Sequence, residues 1–265
     1  MGTFGAAPFS KIMPKARETA ERALALDPNL AEAWATLACI EEQYERRFEG
    51  AVPIWERALT LDPRHSRARG QRALGAYTTG TYTRDQAVAE MHRAVQDDPL
   101  SSWVGAMRSY VLGFVGLHGE SIAEAERAFA LDADSFFAHW NLMRGHAWAG
   151  DYERALELAP GLLAASGRHQ WVLGALSWIY AKAGRPDGAK AIHDEMAARA
   201  RLEFMSPFWL AVAADASCDR EAALGFAERA VVERDPLVIW GRVIPFWDGI
   251  RTHPRFEDVV KGVWR

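Results

Sequence analysis

The sequence predicts an all-α fold built as a stack of helical hairpins, and three observations carry that expectation. The ending ERALTLDP (Glu56–Pro63) returns as ERALALDP (Glu21–Pro28), HRAVQDDP (His92–Pro99) and ERAFALDA (Glu126–Ala133), with a late echo ERAVVERDP (Glu228–Pro236). The closing positions 28, 63, 99 and 133 step by 35, 36 and 34 residues, and a fixed period of that size signals stacked repeats rather than one closed core. Apolar residues recur at helical spacing, and no stretch alternates convincingly with period two. Alanine or glycine recurs inside the hairpins, at Ala38, Ala51 and Ala58, at Ala73, Ala87 and Ala94, and at Gly145, Ala155 and Ala159. Small residues let paired helices approach closely while large apolar ones fill the gap to the next pair.

Taken in order, residues 1–13 are weakly patterned and read as a poorly ordered segment. Pro14 suits a first helical turn, and Ala16, Ala20, Ala23, Leu24 and Leu26 then follow a helical stripe until Asp27-Pro28. Proline cannot continue the hydrogen-bond ladder, so the helix stops there. This looks like the second helix of a repeat whose first helix is short or missing, as in a piece cut from a longer protein.

The next hairpin runs from Ala31 to Arg46, turns through Phe48-Glu49-Gly50, and returns with Ile54, Trp55, Ala58 and Leu59 inward. A third unit spans Ser66 to Pro99 around the turn-rich TTGTYTRD. Further pairs are expected at 102–117 with 121–131, 135–149 with 153–165, 169–183 with 187–202, and 207–216 with 220–233. No single pair can bury its apolar face alone, so the stack is the stable object. The solenoid is therefore placed at residues 14–235. The tail, 236–265, carries Trp240, Ile244, Phe246, Trp247, Ile250, Phe256 and Trp264, and reads as a cap covering the last hairpin.

Composition sets limits. The 265 residues are about half apolar, and net charge is −4 with mixed signs, which argues against a general nucleic-acid surface. Two distant cysteines, Cys39 and Cys218, suggest no disulfide framework, so a reducing, cytoplasmic setting is the default expectation. There is no clear signal-peptide core and no apolar run of about 18 residues.

With those positions established, the chain resembles the tetratricopeptide repeat family. Trp34, Leu37, Ala38, Ala51, Trp55, Ala58 and Pro63 match its signature, as do Leu142, Gly150, Tyr152 and Ala155, and Leu176, Tyr180, Gly184 and Ala189. Arg72 and Arg108 depart from usually apolar places, and Ala133 replaces a closing proline. The resemblance implies a right-handed superhelical solenoid of six to seven repeats. A narrower likeness, carried by PKARETAERALALDP, HRAVQDDPLS and the tail DPLVIWGRVIPFWDGIRTHPRFEDVV, is to the C-terminal repeat region of multidomain bacterial signalling proteins that carry adenylyl cyclase, kinase or winged-helix domains. It implies a regulatory or sensory module and carries no catalysis to this chain.

The resemblance also implies a concave face lined by first helices. Projecting the family's groove positions selects Arg67, Tyr77, Trp103, Tyr110, Phe137, Trp140, Arg144, Trp171 and Trp178 as partner-binding residues. Rings offer wide rigid contact, and arginine adds carboxylate recognition. The six rings Trp103, Tyr110, Phe137, Trp140, Trp171 and Trp178 either line an open groove or pack as core against adjacent helices. The expectation adopted is that at least half are solvent-accessible and hold a peptide or protein tail. A small-molecule sensor is the alternative, and an enclosed pocket of a few hundred Å³ would favour it.

Enzyme chemistry is not expected. His139 and His146, seven residues apart, are not joined by a Cys or Asp cluster, so no metal is assigned. GFVGLHG (Gly113–Gly119) lacks the strand and Lys-Ser/Thr of a phosphate loop. No catalytic residue and no cofactor is predicted.

Overall fold

A computed structural model describes residues 7–264. A lone helix, α1 (Phe9–Leu26), is followed by six helical pairs: α2 (Ala31–Cys39) with α3 (Phe48–Leu61), α4 (Ser66–Thr78) with α5 (Arg84–Asp97), α6 (Ser102–Phe114) with α7 (His118–Leu131), α8 (Phe136–Trp148) with α9 (Tyr152–Ala165), α10 (Gln170–Lys182) with α11 (Pro186–Arg199), and α12 (Pro207–Ala216) with α13 (Arg220–Val232). The partners of each pair pack on one another, and α4, α6, α8, α10 and α12 also pack in sequence along one wall. Two 3₁₀ turns (Pro236–Trp240 and Pro245–Trp247) and the short α14 (Asp248–Arg251) and α15 (Phe256–Val259) complete the chain.

The repeated Leu-Asp-Pro ending has a local cause. Asp27 and Asp62 leave the helix in extended conformation, and each Oδ1 accepts the backbone N–H two residues on. Asp132 does the same with Asp134 although Ala133 stands in the proline's place. The aspartate turn therefore suffices to stop the helix. Several helix starts are capped by a side-chain oxygen, although Ser206 before α12 donates its hydroxyl to Asp235 instead. Thr83 and Gln86 form a reciprocal capping box, and Ser101, Ser135 and Asp219 each accept an N–H of the first turn.

Three expectations change. The first helix begins at Phe9, not Pro14, and Phe9 is buried; residues 1–6 of the segment expected to be weakly ordered lie outside the described residues. Pro14 sits inside that helix, where the bond it forfeits belongs to the carbonyl of exposed Ser10, open to water. The helix expected to reach Arg46 instead passes into a π-helical turn, Ile40–Tyr44, and Arg46 takes a left-handed φ of 58°.

That turn matters because the stack curls until its ends meet. Phe9, Ile40 and Tyr44 form a buried cluster with Phe204, and the Phe9 and Phe204 rings meet edge to face at 5.7 Å. Arg46 Nη2 donates to the Val231 carbonyl at 3.1 Å, and Arg234 pairs with Glu45 at 2.7 Å. The first hairpin thus touches the last, and the solenoid closes into a ring.

Candidate functional site

The tail does more than cover the last hairpin. It packs on α12 and α13, but residues 240–247 also turn into the inside of the ring. Phe246 lies among four tryptophans, with centroids 6.3 Å from Trp140, 5.5 Å from Trp148, 5.4 Å from Trp178 and 5.3 Å from Trp209. Trp240 meets Tyr110 at 5.7 Å and Phe114 at 5.8 Å. The chain's own tail therefore occupies much of the inner face.

What it leaves is a cavity of about 670 Å³. Trp103, Phe137 and Trp171, from the starts of α6, α8 and α10, supply rings on one side. Trp103 and Phe137 stack at 6.0 Å, while Trp171 packs on Trp140 at 5.9 Å and Trp209 at 6.1 Å. Gln43 of the π-helical turn, with Gln71 and Leu74 of α4, forms another side. Phe204 and Met205, between α11 and α12, close a third, and buried Tyr110 and Trp240 also line it. The lining residues Ala165, Gly167 and Glu203 are exposed and mark the mouth.

The cavity wall is polar in places but carries little unspent charge. Arg199 donates to Glu203 at 2.5 Å and to the Arg168 carbonyl at 2.7 Å. His169 Nδ1 accepts the Trp171 N–H at the start of α10, and its ring packs on Phe136 at 5.2 Å. Gln170 accepts from the Ser206 N–H. Gln43 and Gln71 are half-buried, and neither side chain takes part in a hydrogen bond among the described residues.

The nine expected groove residues divide into groups. Trp103, Tyr110, Phe137 and Trp171 line the cavity together. Trp140 and Trp178 are buried and hold Phe246 instead of solvent or a partner. Four of the six rings (Tyr110, Trp140, Trp171 and Trp178) are buried, and only Trp103 and Phe137 are half-buried. The expected half-open ladder is therefore corrected, because curvature and the inserted tail cover it. Arg67 is exposed, its guanidinium 4.6 Å from the Trp103 ring. Tyr77 is half-buried, its hydroxyl 3.5 Å from the Phe114 carbonyl.

Arg144 is the largest correction. It is fully buried and meets no carboxylate. Its guanidinium donates to Asn141 Oδ1 and the Ser109 carbonyl, and lies 4.2 Å from the Trp148 ring and 4.7 Å from Tyr110. Burial lowers its pKa to about 9 and raises that of the neighbouring Tyr110 hydroxyl. Gly113 makes room for it, since a Cβ there would fall 2.3 Å from Nη1. Arg144 is a core residue behind the cavity, not a clamp for an incoming carboxylate.

Sequence reasoning missed Gln43, Gln71, Phe204, Met205 and Trp240. Gln43 and Gln71 line the cavity, whereas Glu42 and Gly70, one residue before each, do not. Neighbours on a helix differ by about 100° in direction, and the π-helical turn shifts the register at Gln43. Phe204 and Met205 lie in a connection with no period to read.

Among the described residues no three His, Cys, Asp or Glu side chains converge as a metal site, and no helix is long and apolar enough to cross a membrane. His139 packs on Phe129, and His146 reaches Asp151 at 3.1 Å.

No protein-family model matches the chain. Solved structures with the same helical stacking include PilW, described as a widely conserved type IV pilus biogenesis factor, at 19% identity and a TM-score of 0.57 over 84% of this chain and 97% of that one. A tetratricopeptide repeat protein from Parabacteroides merdae aligns at 12% identity and 0.59 over 88% and 94%. The Cut9–Hcn1 hetero-tetramer of APC/C aligns at 14% and 0.61, over 91% of this chain and 46% of that one. Among curated proteins, the human protein O-mannosyl-transferase TMTC3 is 28% identical over 154 residues, which is 56% of this chain and only 16% of that protein. These likenesses show the fold: the chain is a solenoid of tetratricopeptide-repeat type.

Proposed function

We propose that this chain is a non-catalytic binding module that receives a compact, largely apolar group in its central cavity. One observation carries the reading. The tail fills the inner face around Phe246, yet an aromatic-walled space of about 670 Å³ with an exposed rim remains beside it. That volume lies within the roughly 300–1,000 Å³ of ligand pockets, and rings with a few polar groups are their usual lining. An extended peptide laid along the whole inner face is disfavoured, because residues 240–247 already lie there.

A protein partner can present such a group as one or two side chains. The fold likeness to PilW and to the Cut9–Hcn1 assembly supports an interaction role of that kind. The exposed Arg67 over Trp103 offers a charged contact beside the ring. The resemblance to repeat regions of signalling proteins supports a regulatory or sensory setting, and the paucity of cysteine a reducing compartment.

Tryptophan emission reports on this site because Trp103, Trp171 and Trp240 line it. The test titrates the chain with neutral bicyclic aromatics and with a blocked peptide carrying a central Phe, then repeats this with Ala165→Trp, which places bulk at the exposed rim. Saturable binding that weakens at least tenfold in the variant is expected. Absence of saturation with every probe up to millimolar concentration would overturn the proposal.

A further inference from the structure

We infer that the occupant of the cavity is a neutral, planar heteroaromatic molecule whose edge carries a hydrogen-bond donor beside an acceptor, as in a cyclic amide. This rests on the binding-module reading above and names its ligand class. The shape of the wall is the first ground. Trp103 and Phe137 stack near parallel, at 26°, and Trp171 and Tyr110 extend the aromatic surface, which suits flat faces over branched chains.

Charge balance is the second ground. Arg199 is spent on Glu203 and a backbone carbonyl, so this cation and this carboxylate of the described lining neutralise each other. Arg67 lies over Trp103 and is not part of the lining, while Arg144 is sealed behind Tyr110. Among the described residues of the lining itself, a buried carboxylate, phosphate or ammonium would meet no free opposite charge, at a large desolvation cost, and Arg67 stands exposed outside it.

The third ground is the pair Gln43 and Gln71. They come from consecutive repeats, both line the cavity, and neither carboxamide is engaged by another described residue. Each offers two donors and an acceptor, so together they match an edge that both gives and takes a hydrogen bond.

Four probes of similar ring size test the inference by calorimetry on the full chain: quinolin-2-one, naphthalene, 2-naphthoate and N-methylquinolinium. Quinolin-2-one is expected to bind tightest, about tenfold over naphthalene for two net hydrogen bonds. In Gln43→Leu/Gln71→Leu that ratio is expected to fall to about one with naphthalene affinity kept, and each single variant to lose about threefold. The singles preserve the test if the double variant melts early by circular dichroism. Tightest binding of the anion or the cation, or an unchanged ratio in the variants, would overturn the inference. Binding of the Phe peptide without binding of any bicycle would overturn it too, while leaving the module reading standing. Failure of every probe and of the peptide would remove the binding site itself.

Discussion

Glu42 carries a pH-dependent cost that can be worked from its surroundings. It lies in the π-helical turn, buried, pressed so closely against Gly75 of α4 that a Cβ there would fall 1.9 Å from its Oε2. The Trp55 indole is near enough to favour the charged form, yet neither it nor Oε2 gains a hydrogen bond of good geometry. Burial dominates and lifts the carboxyl from its ordinary 4.5 to about 8, against weaker opposing pulls from Trp55 and Arg72. Between those values the folded state holds a proton that the unfolded chain releases. Stability from this group is therefore present below pH 4.5 and is lost as pH rises towards 8. One pH unit corresponds to about 1.4 kcal/mol, so the loss reaches about 3 kcal/mol by pH 7 and on the order of 4–5 at and above pH 8. Glu42→Gln keeps the shape and removes the charge. It is expected to match the native chain at pH 4 and to exceed its stability by about 3 kcal/mol at pH 7. Reversible urea unfolding of both proteins from pH 4 to 8 reads this directly. The difference between them cancels the smaller slope from Asp235, which is also buried and raised to about 6. A difference that stays within about 0.5 kcal/mol across that range would refute the reasoning.

Other substitutions test the packing that shapes the site. Phe246→Ala removes a fully buried ring from among four tryptophans and should cost about 3–5 kcal/mol in urea unfolding; a loss below about 1 would mean the tail does not anchor the inner face. Ring closure should depend on apolar contact, so Phe9→Ala should destabilise by about 3 kcal/mol and Arg234→Ala, which breaks a half-exposed ion pair and a 5.7 Å contact over the Tyr44 ring, by less than about 1; the reverse order, read by denaturation, would refute this. Gly174→Ala would bring a Cβ within 2.4 Å of the Trp209 ring and should cost about 1–3 kcal/mol net, whereas Gly225→Ala, exposed on α13 with open space around it, should gain about 0.5–1; equal melting shifts would show that the Gly174 contact relaxes freely.

The hairpin order, and the helix boundaries from Ser102 to Val232 to within three residues, were legible in the chain, because the signals are local. Leu-Asp-Pro endings, capping oxygens and small inward residues each act within one or two turns. The reading failed where distant parts meet. Ala16 and Ala20 announced a helix, yet nothing beside Phe9 disclosed that it would find Phe204 across the ring. Trp140 and Trp178 carried the right chemistry for a groove and became walls for Phe246, a residue assigned to the cap. Arg144 was read as a clamp and is buried with neutral partners: Asn141 lies one turn back on its own helix, and Ser109 reaches it only after α6 and α8 pack.

By itself the sequence determined that this chain would be a stack of helical pairs with an aromatic inner side. Periodicity and turn chemistry are properties of neighbouring residues and need no knowledge of the whole. Only the tertiary structure decided which rings the tail would cover, and that a cavity would remain with Gln43 and Gln71 on one side of it. Those outcomes depend on how far small curvatures add up over six pairs. They depend as well on the π-helical turn at Ile40–Tyr44, which brings Gln43 rather than Glu42 to the cavity wall.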